Sequence, residues 1–218
     1  MLRSLTAAGF LALFVGQIAQ AAPCATSSLT SYLADGFSCT TDDKTFGAFV
    51  FNGTLSTLPG GITVSSSEIT VVPIATPGNP GFAFNFDLNA GTGEIAGFSL
   101  NYAANVSPDG NPIEKFSASQ VGTGGGLTGD VGLSATLSNG ATLGLDSHGL
   151  DTRSIMFDPV RDLAVDERFA VQGGGRGFAT ASSLINQFGE VSIPEPKSLA
   201  MLLTGILGLI GGMRWRRR

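Results

Sequence analysis

Alternation with a period of two residues is the feature that most constrains this chain. Phe82, Phe84 and Phe86 alternate in FAFNF, and Phe98, Leu100 and Tyr102 follow Ile95 in EIAGFSLNY. Val131, Leu133, Ala135 and Leu137 alternate through DVGLSATL; Leu163 and Val165, then Phe169 and Val171, line DLAVDERFAVQ. Phe46, Phe49 and Phe51 lie in TFGAFVF. Successive side chains of a strand point to opposite faces, so each run has one buried and one wet face. Turn signals separate the runs: Pro59-Gly60-Gly61, Pro77-Gly78-Asn79-Pro80, Pro108-Asp109-Gly110-Asn111-Pro112 and Asn139-Gly140. Many short strands joined by such turns, in a chain with 31 glycines, predict an all-β antiparallel β-sandwich, with the jelly roll as one form of it.

The first 21 residues read differently. Arg3 supplies a positive charge, an apolar stretch follows to Ala19, and Ala19-Gln20-Ala21 is a small-x-small site. That order is a signal peptide cut by signal peptidase between Ala21 and Ala22. Only two cysteines follow, Cys24 and Cys39, and an even count in an exported chain predicts that they pair. Closing so short a loop is worth about 3 kcal/mol in chain entropy. Between them, Leu29, Tyr32 and Leu33 have helical spacing ahead of Gly36, which predicts a short N-terminal helix. Two cysteines fifteen apart without clustered histidine make no metal site.

The formal charge of -5 is unevenly spread. Between Ala22 and Ile193 the basic residues are Lys44, Lys115, Arg153, Arg161, Arg168 and Arg176, against sixteen acidic ones, a net of about -10. Such a body lacks the basic footprint of a nucleic-acid binder.

The end reverses the sign. Ser198 to Met213 carries no charge, about 24 Å if helical, and Arg214, Arg216, Arg217 and Arg218 follow around Trp215. An apolar span capped by arginine is a membrane stop signal with the arginines on the cytoplasmic side. Ahead of it stands Pro194-Glu195-Pro196, whose prolines hold the segment extended. Triplet, span and arginine cluster, in that order, resemble the PEP-CTERM sorting signal of Gram-negative bacteria. The resemblance implies processing near the triplet by an exosortase, a membrane-embedded cysteine protease-transpeptidase. It also implies export across the inner membrane, transient anchoring in the bilayer by the C-terminal helix, and release to the cell surface or matrix of an exopolysaccharide producer. The chain then divides into a signal peptide over 1–21, an extracellular sandwich over 22–192 and a sorting tail over 193–218. LTSYLADGFSCTTDDKTFGAFVF, GFAFNF and GGGRGFATASSLINQF more loosely resemble the globular domains that such proteins carry; this adds support for the sandwich and supplies no activity.

Signals for chemistry are weak. Asp146-Ser147-His148 holds the single histidine, but adjacent strand residues face opposite ways and no G-x-S-x-G elbow is present. Gly122 to Gly126 and Gly173 to Gly177 lack the Lys-Ser/Thr of a phosphate loop and are expected as turns and bulges. Asp42-Asp43, Asp109-Gly110-Asn111, and Asp158, Asp162, Asp166 and Glu167 offer oxygen ligands for Ca²⁺ but no ligand-loop pattern, and are expected as solvated turns. No cofactor is expected. The leading expectation is a non-enzymatic, exported surface or matrix protein associated with exopolysaccharide. The alternatives are a carbohydrate-binding module, with Trp215 in the tail as the only tryptophan to stack on a sugar, a secreted hydrolase using Asp and Glu, and an ice-binding protein, for which no Thr-x-Thr ladder is visible.

Overall fold

The computed structural model describes residues 21–55, 60–126, 128–147 and 149–190. Two sheets lie face to face. The first holds, in spatial order, β1 (Ala22–Pro23), β3 (Ser38–Thr41), β4 (Lys44–Asn52), β8 (Ile95–Val106), β13 (Asp162–Gln172), β10 (Asp130–Leu137) and β11 (Thr142–Ser147). An eighth strand, β5 (Gly61–Ile62), pairs with β8 beyond the end of β4. The second sheet runs β12 (Gly149–Val160), β9 (Ile113–Gly126), β14 (Gly177–Glu190), β7 (Gly81–Ala90), β6 (Thr70–Ile74) and β2 (Ser27–Ser28). All pairings are antiparallel except β1 with β3 and β5 with β8.

The last eight strands have a nested order. β7 pairs with β14, β8 with β13, β9 with β12 and β10 with β11. A long hairpin rolled on itself gives that nesting, which is jelly-roll wrapping. The earlier strands widen both sheets: β4, β3 and β1 extend outward from β8, and β6 and β2 from β7.

Between the sheets lies one core dominated by aromatic rings. Phe46, Phe82, Phe84, Phe98, Phe116, Phe169 and Phe188 are fully buried. Phe46 and Phe82 meet edge to face at 4.7 Å, and Phe49 stacks on Tyr102 at 5.5 Å; contacts of this kind add roughly 0.5–1.5 kcal/mol each beyond area burial. Phe46 and Phe49 are three residues apart, which strict alternation would send to opposite faces. A bulge reconciles them: the β4–β8 register shifts between Gly47 and Val50, and Ala48 takes a φ of 54°.

The short helix α1 (Leu29–Tyr32) buries Leu29 and Tyr32, and Gly36 turns the chain with a φ of 71°. The Tyr32 hydroxyl donates to the Ala25 carbonyl at 2.7 Å. Cys24 and Cys39 form the expected disulfide, which ties the segment after β1 to β3. Among the described residues no helix is long and apolar enough to cross a membrane; the span over 198–213 lies outside them.

Candidate functional site

The outer face of the eight-stranded sheet is sunken. Along β8, β13, β10 and β11 the outward positions are small or polar: Gly97, Ala170, Gly132 and Ser134 lie at its floor. At Gly97 a Cβ would stand 2.7 Å from Leu55 Cδ1, so the glycine lets Leu55 fold down as a wall. The result is an open depression of about 460 Å³ lined by Leu55, Ile95, Asp130, Ser134, Asp146, Arg168 and Gln172. Further hollows continue it past Thr136 and Asp166, then past Asn101 and Ala164, toward the loop at Gly36 and Phe37. From Gln172 to Ala164 along β13 this is roughly 26 Å at strand rise. A groove of that length suits a chain better than a single small molecule.

Arg168 stands in its middle. Among the described residues its guanidinium makes no hydrogen bond or ion pair. Arg161 and Arg153, by contrast, are engaged: Arg161 donates to the carbonyls of Ser107, Pro108 and Gly110, and Arg153 lies 3.5 Å from Asp151. Arg168 thus presents its full fork of donors, while Asp130, Asp146 and Asp166 offer acceptors along the same face.

Other polar clusters lie apart. At the sandwich end where β14 finishes, the fully buried Lys44 donates to Asp43 Oδ1, to Glu190 Oε1 at 2.7 Å and to the Asn111 carbonyl at 3.0 Å. Asp43 Oδ2 accepts from the Asn111 amide at 2.7 Å, and Glu190 Oε2 from Asn111 Nδ2 at 3.3 Å. Two acidic turns that are separate in sequence therefore meet. Ligand atoms of Asp42, Asp43 and Glu190 lie within 4.8 Å of one another, a spacing that suits a cation, but the Lys44 ammonium already sits on Asp43 and Glu190. Burial pushes the Glu190 carboxyl up, against the pull of Lys44. Burial acts the same way on Asp43, but hydrogen bonds from Lys44 and the Asn111 amide and the ammonium charge outweigh it and hold Asp43 below its ordinary value.

In mid-core, Glu167 is wholly buried, which corrects its expected place in a solvated turn. Its parity in β13 aligns it with Val165 and Phe169. Asn186 Nδ2, reaching from the other sheet, donates to Glu167 Oε2 at 2.7 Å and to the Tyr102 hydroxyl at 2.8 Å. Burial raises Glu167 to about 8, with Asn186 opposing and Asp166 adding. Burial, reinforced by Glu167, also holds Tyr102 well above its usual value. No substrate reaches this trio.

The expected site residues fall as follows. Asp146 lines the groove; His148 lies outside the described residues, as do Pro194, Glu195, Pro196, Arg214, Arg216, Arg217 and Arg218. Ala21 accepts a hydrogen bond from Thr40 Oγ1 at 3.4 Å, and Ala22 opens β1. Gly122 to Gly126, expected as turns and bulges, forms no turn but ends β9 and pairs with Gly177 to Ala181 of β14, with a register shift between Ala181 and Ser183 beside Gly122. Asp158 and Asp162 sit on strands rather than in a shared turn. Sequence reasoning missed Arg168 and Lys44, since each depends on strand order.

No family model matches the chain, and neither does any curated protein. Among solved structures, TmCBM61 in complex with β-1,4-galactotriose is similar at 11% identity and a TM-score of 0.32, over 64% of this chain and 87% of that one. The enzymatically active domain of tailspike protein 4 of bacteriophage CBA120 is similar at 13% identity and a TM-score of 0.27, over 66% of this chain and 19% of that one. Likeness at these scores carries no weight for function.

Proposed function

We propose that the chain is an exported, non-catalytic surface protein whose sandwich binds a polysaccharide along the outer face of the eight-stranded sheet. Its tail over 193–218 is the exosortase sorting signal, and exopolysaccharide outside the cell is the natural ligand. The groove carries this reading: it is long, open and lined by hydroxyl, carboxamide and carboxylate groups around the unspent guanidinium of Arg168. Sugar hydroxyls both donate and accept, so a face with Arg168 donors beside Asp130 and Asp146 acceptors suits them. Three carboxylates against one guanidinium disfavour a polyanion by like-charge repulsion, and the ligand class is therefore an uncharged polysaccharide.

Affinity electrophoresis of the protein in gels cast with neutral or uronate-rich polysaccharides tests it. Retardation in neutral gels, weakened about 10- to 100-fold by Arg168→Ala as expected for a lost charged hydrogen bond, supports the reading. Free migration in every gel, or retardation untouched by Arg168→Ala, overturns it.

A further inference from the structure

The cluster at the end of β14 has the parts of an acyl-transfer site. Lys44 is a nucleophile at 0% exposure, and its three ammonium hydrogens go to Asp43, Glu190 and the Asn111 carbonyl. Its Nζ lies 2.7 Å from Glu190 Oε1, a hydrogen-bond contact that holds the amine beside that carboxyl group. Asn111 Nδ2 donates to the other oxygen, Oε2, where negative charge would grow when the carbonyl carbon is attacked. Asp43 touches the same ammonium from the other side. An ordinary buried ion pair needs one cation and one anion; here a second carboxylate and an oxyanion donor are added.

We infer that Lys44 and Glu190 condense to an intramolecular isopeptide bond that covalently joins β4 to β14. Asp43 carries one proton from Nζ to Glu190, leaving a neutral amine and a neutral carboxylic acid. The Nζ lone pair then forms the N–C bond to Cδ of Glu190, with charge gathering on Oε2 beside Asn111. Asp43 moves a second Nζ proton to Oε1, the C–O bond breaks, and one water leaves. Asp43 ends as it began, and no oxidant or co-reactant is consumed. The opposed tendencies of the two carboxyls suit these roles, Glu190 toward its neutral form and Asp43 toward its anion.

Condensation in open water is held back by the mass of solvent. Burial removes that brake, and fixed contact raises the effective concentration of the two groups. Asp43 is one-fifth exposed, which leaves the released water a way out. The link spans 146 residues and closes the fold at the point where the chain leaves for its tail. This is a single self-modification rather than turnover, and it stands independently of any glycan in the groove.

Mass spectrometry of the folded, full-length chain, reduced to open its disulfide and then denatured, decides the matter. The expected mass is lower than the sequence mass by one water, and proteolysis gives a branched peptide joining Lys44 to Glu190. Lys44→Arg and Asp43→Asn should both return the full mass. Full mass in the folded wild type overturns the inference, as does a water loss that maps elsewhere, for instance to Asp109-Gly110. A linked Asp43→Asn variant would remove Asp43 from the chemistry and overturn its assigned role.

Discussion

Two carboxylates leave solvent in this sandwich, and they are neutralised by different means. Glu190 at the sandwich end meets a cation, Lys44, held in place by Asn111 and Asp43. Glu167 in mid-core meets only the Asn186 carboxamide and, through it, the Tyr102 hydroxyl. Burying an uncompensated carboxylate costs so much that the group takes up a proton instead. Before any link forms, the end cluster therefore works through charge pairing, whereas the mid-core trio keeps a neutral acid at neutral pH. The first depends on a partner 146 residues away in sequence, the second on pH.

The largest effect that separates them is the pH dependence carried by Glu167. Its carboxyl rises from an ordinary 4.5 to about 8 on folding. Its stabilising contribution is fully present below pH 4.5 and is lost as pH rises through 8. Over that window stability should fall by about 1.4 kcal/mol per pH unit, on the order of 4–5 kcal/mol in all. Glu167→Gln keeps the shape without the ionisation. Chemical denaturation across this range should show the variant about level with wild type near pH 4.5 and progressively more stable above it. Parallel curves for the two proteins would mean that Glu167 stays ionised in the core.

The end cluster should respond in the opposite sense to loss of its cation. Against Lys44→Arg, which keeps the charge but cannot form the link, Lys44→Met removes the only positive charge in contact with Asp43 and Glu190 among the described residues, and breaking a buried pair costs about 3–4 kcal/mol at pH 7. Acid should shrink that cost, because protonated carboxyls no longer need the ammonium. Denaturation midpoints at pH 4 and pH 7 test this; a cost that is equal at both would show that Lys44 acts through packing alone.

How far each feature was legible in the sequence follows from the side chains that carry it. β7, β8, β10 and β13 announce themselves because their inward positions are bulky. β9 and β14 do not, since Ala118, Gln120 and Gly122 on one and Ala179, Ala181 and Asn186 on the other fill inward places with small or polar groups. The glycines at the end of β9 looked like a turn because glycine marks turns, yet paired backbone supplies their hydrogen bonds. Glu167 was within reach: in DLAVDERFAVQ it shares its parity with Leu163, Val165, Phe169 and Val171. Its charge drew it into an acidic cluster that the strand parity contradicts. Asp43–Lys44, Asn111 and Glu190 come from three separated segments, and Arg168 comes near Asp130 and Asp146 only once β13, β10 and β11 are neighbours. Local pattern reports which way a side chain faces; it does not report what lies across the sheet.

The smallest effect sharpens the contrast inside the mid-core trio. The Tyr102 hydroxyl accepts one hydrogen bond from Asn186 Nδ2, and the same nitrogen donates to Glu167. Tyr102→Phe keeps the ring, which packs against Phe49 and Phe188, and deletes only the oxygen. The direct cost is one neutral hydrogen bond, about 1 kcal/mol. A second consequence tells more. Ionised Glu167 repels an ionising Tyr102 but is little affected by a neutral one, and Tyr102 is held well above its ordinary value. Removing the hydroxyl should therefore lower stability by the same small amount at pH 5 and at pH 8, leaving the Glu167 slope intact. If Tyr102→Phe instead flattens that slope, the hydroxyl takes part in the proton's retention, and the neutral unit is the trio rather than the carboxyl alone.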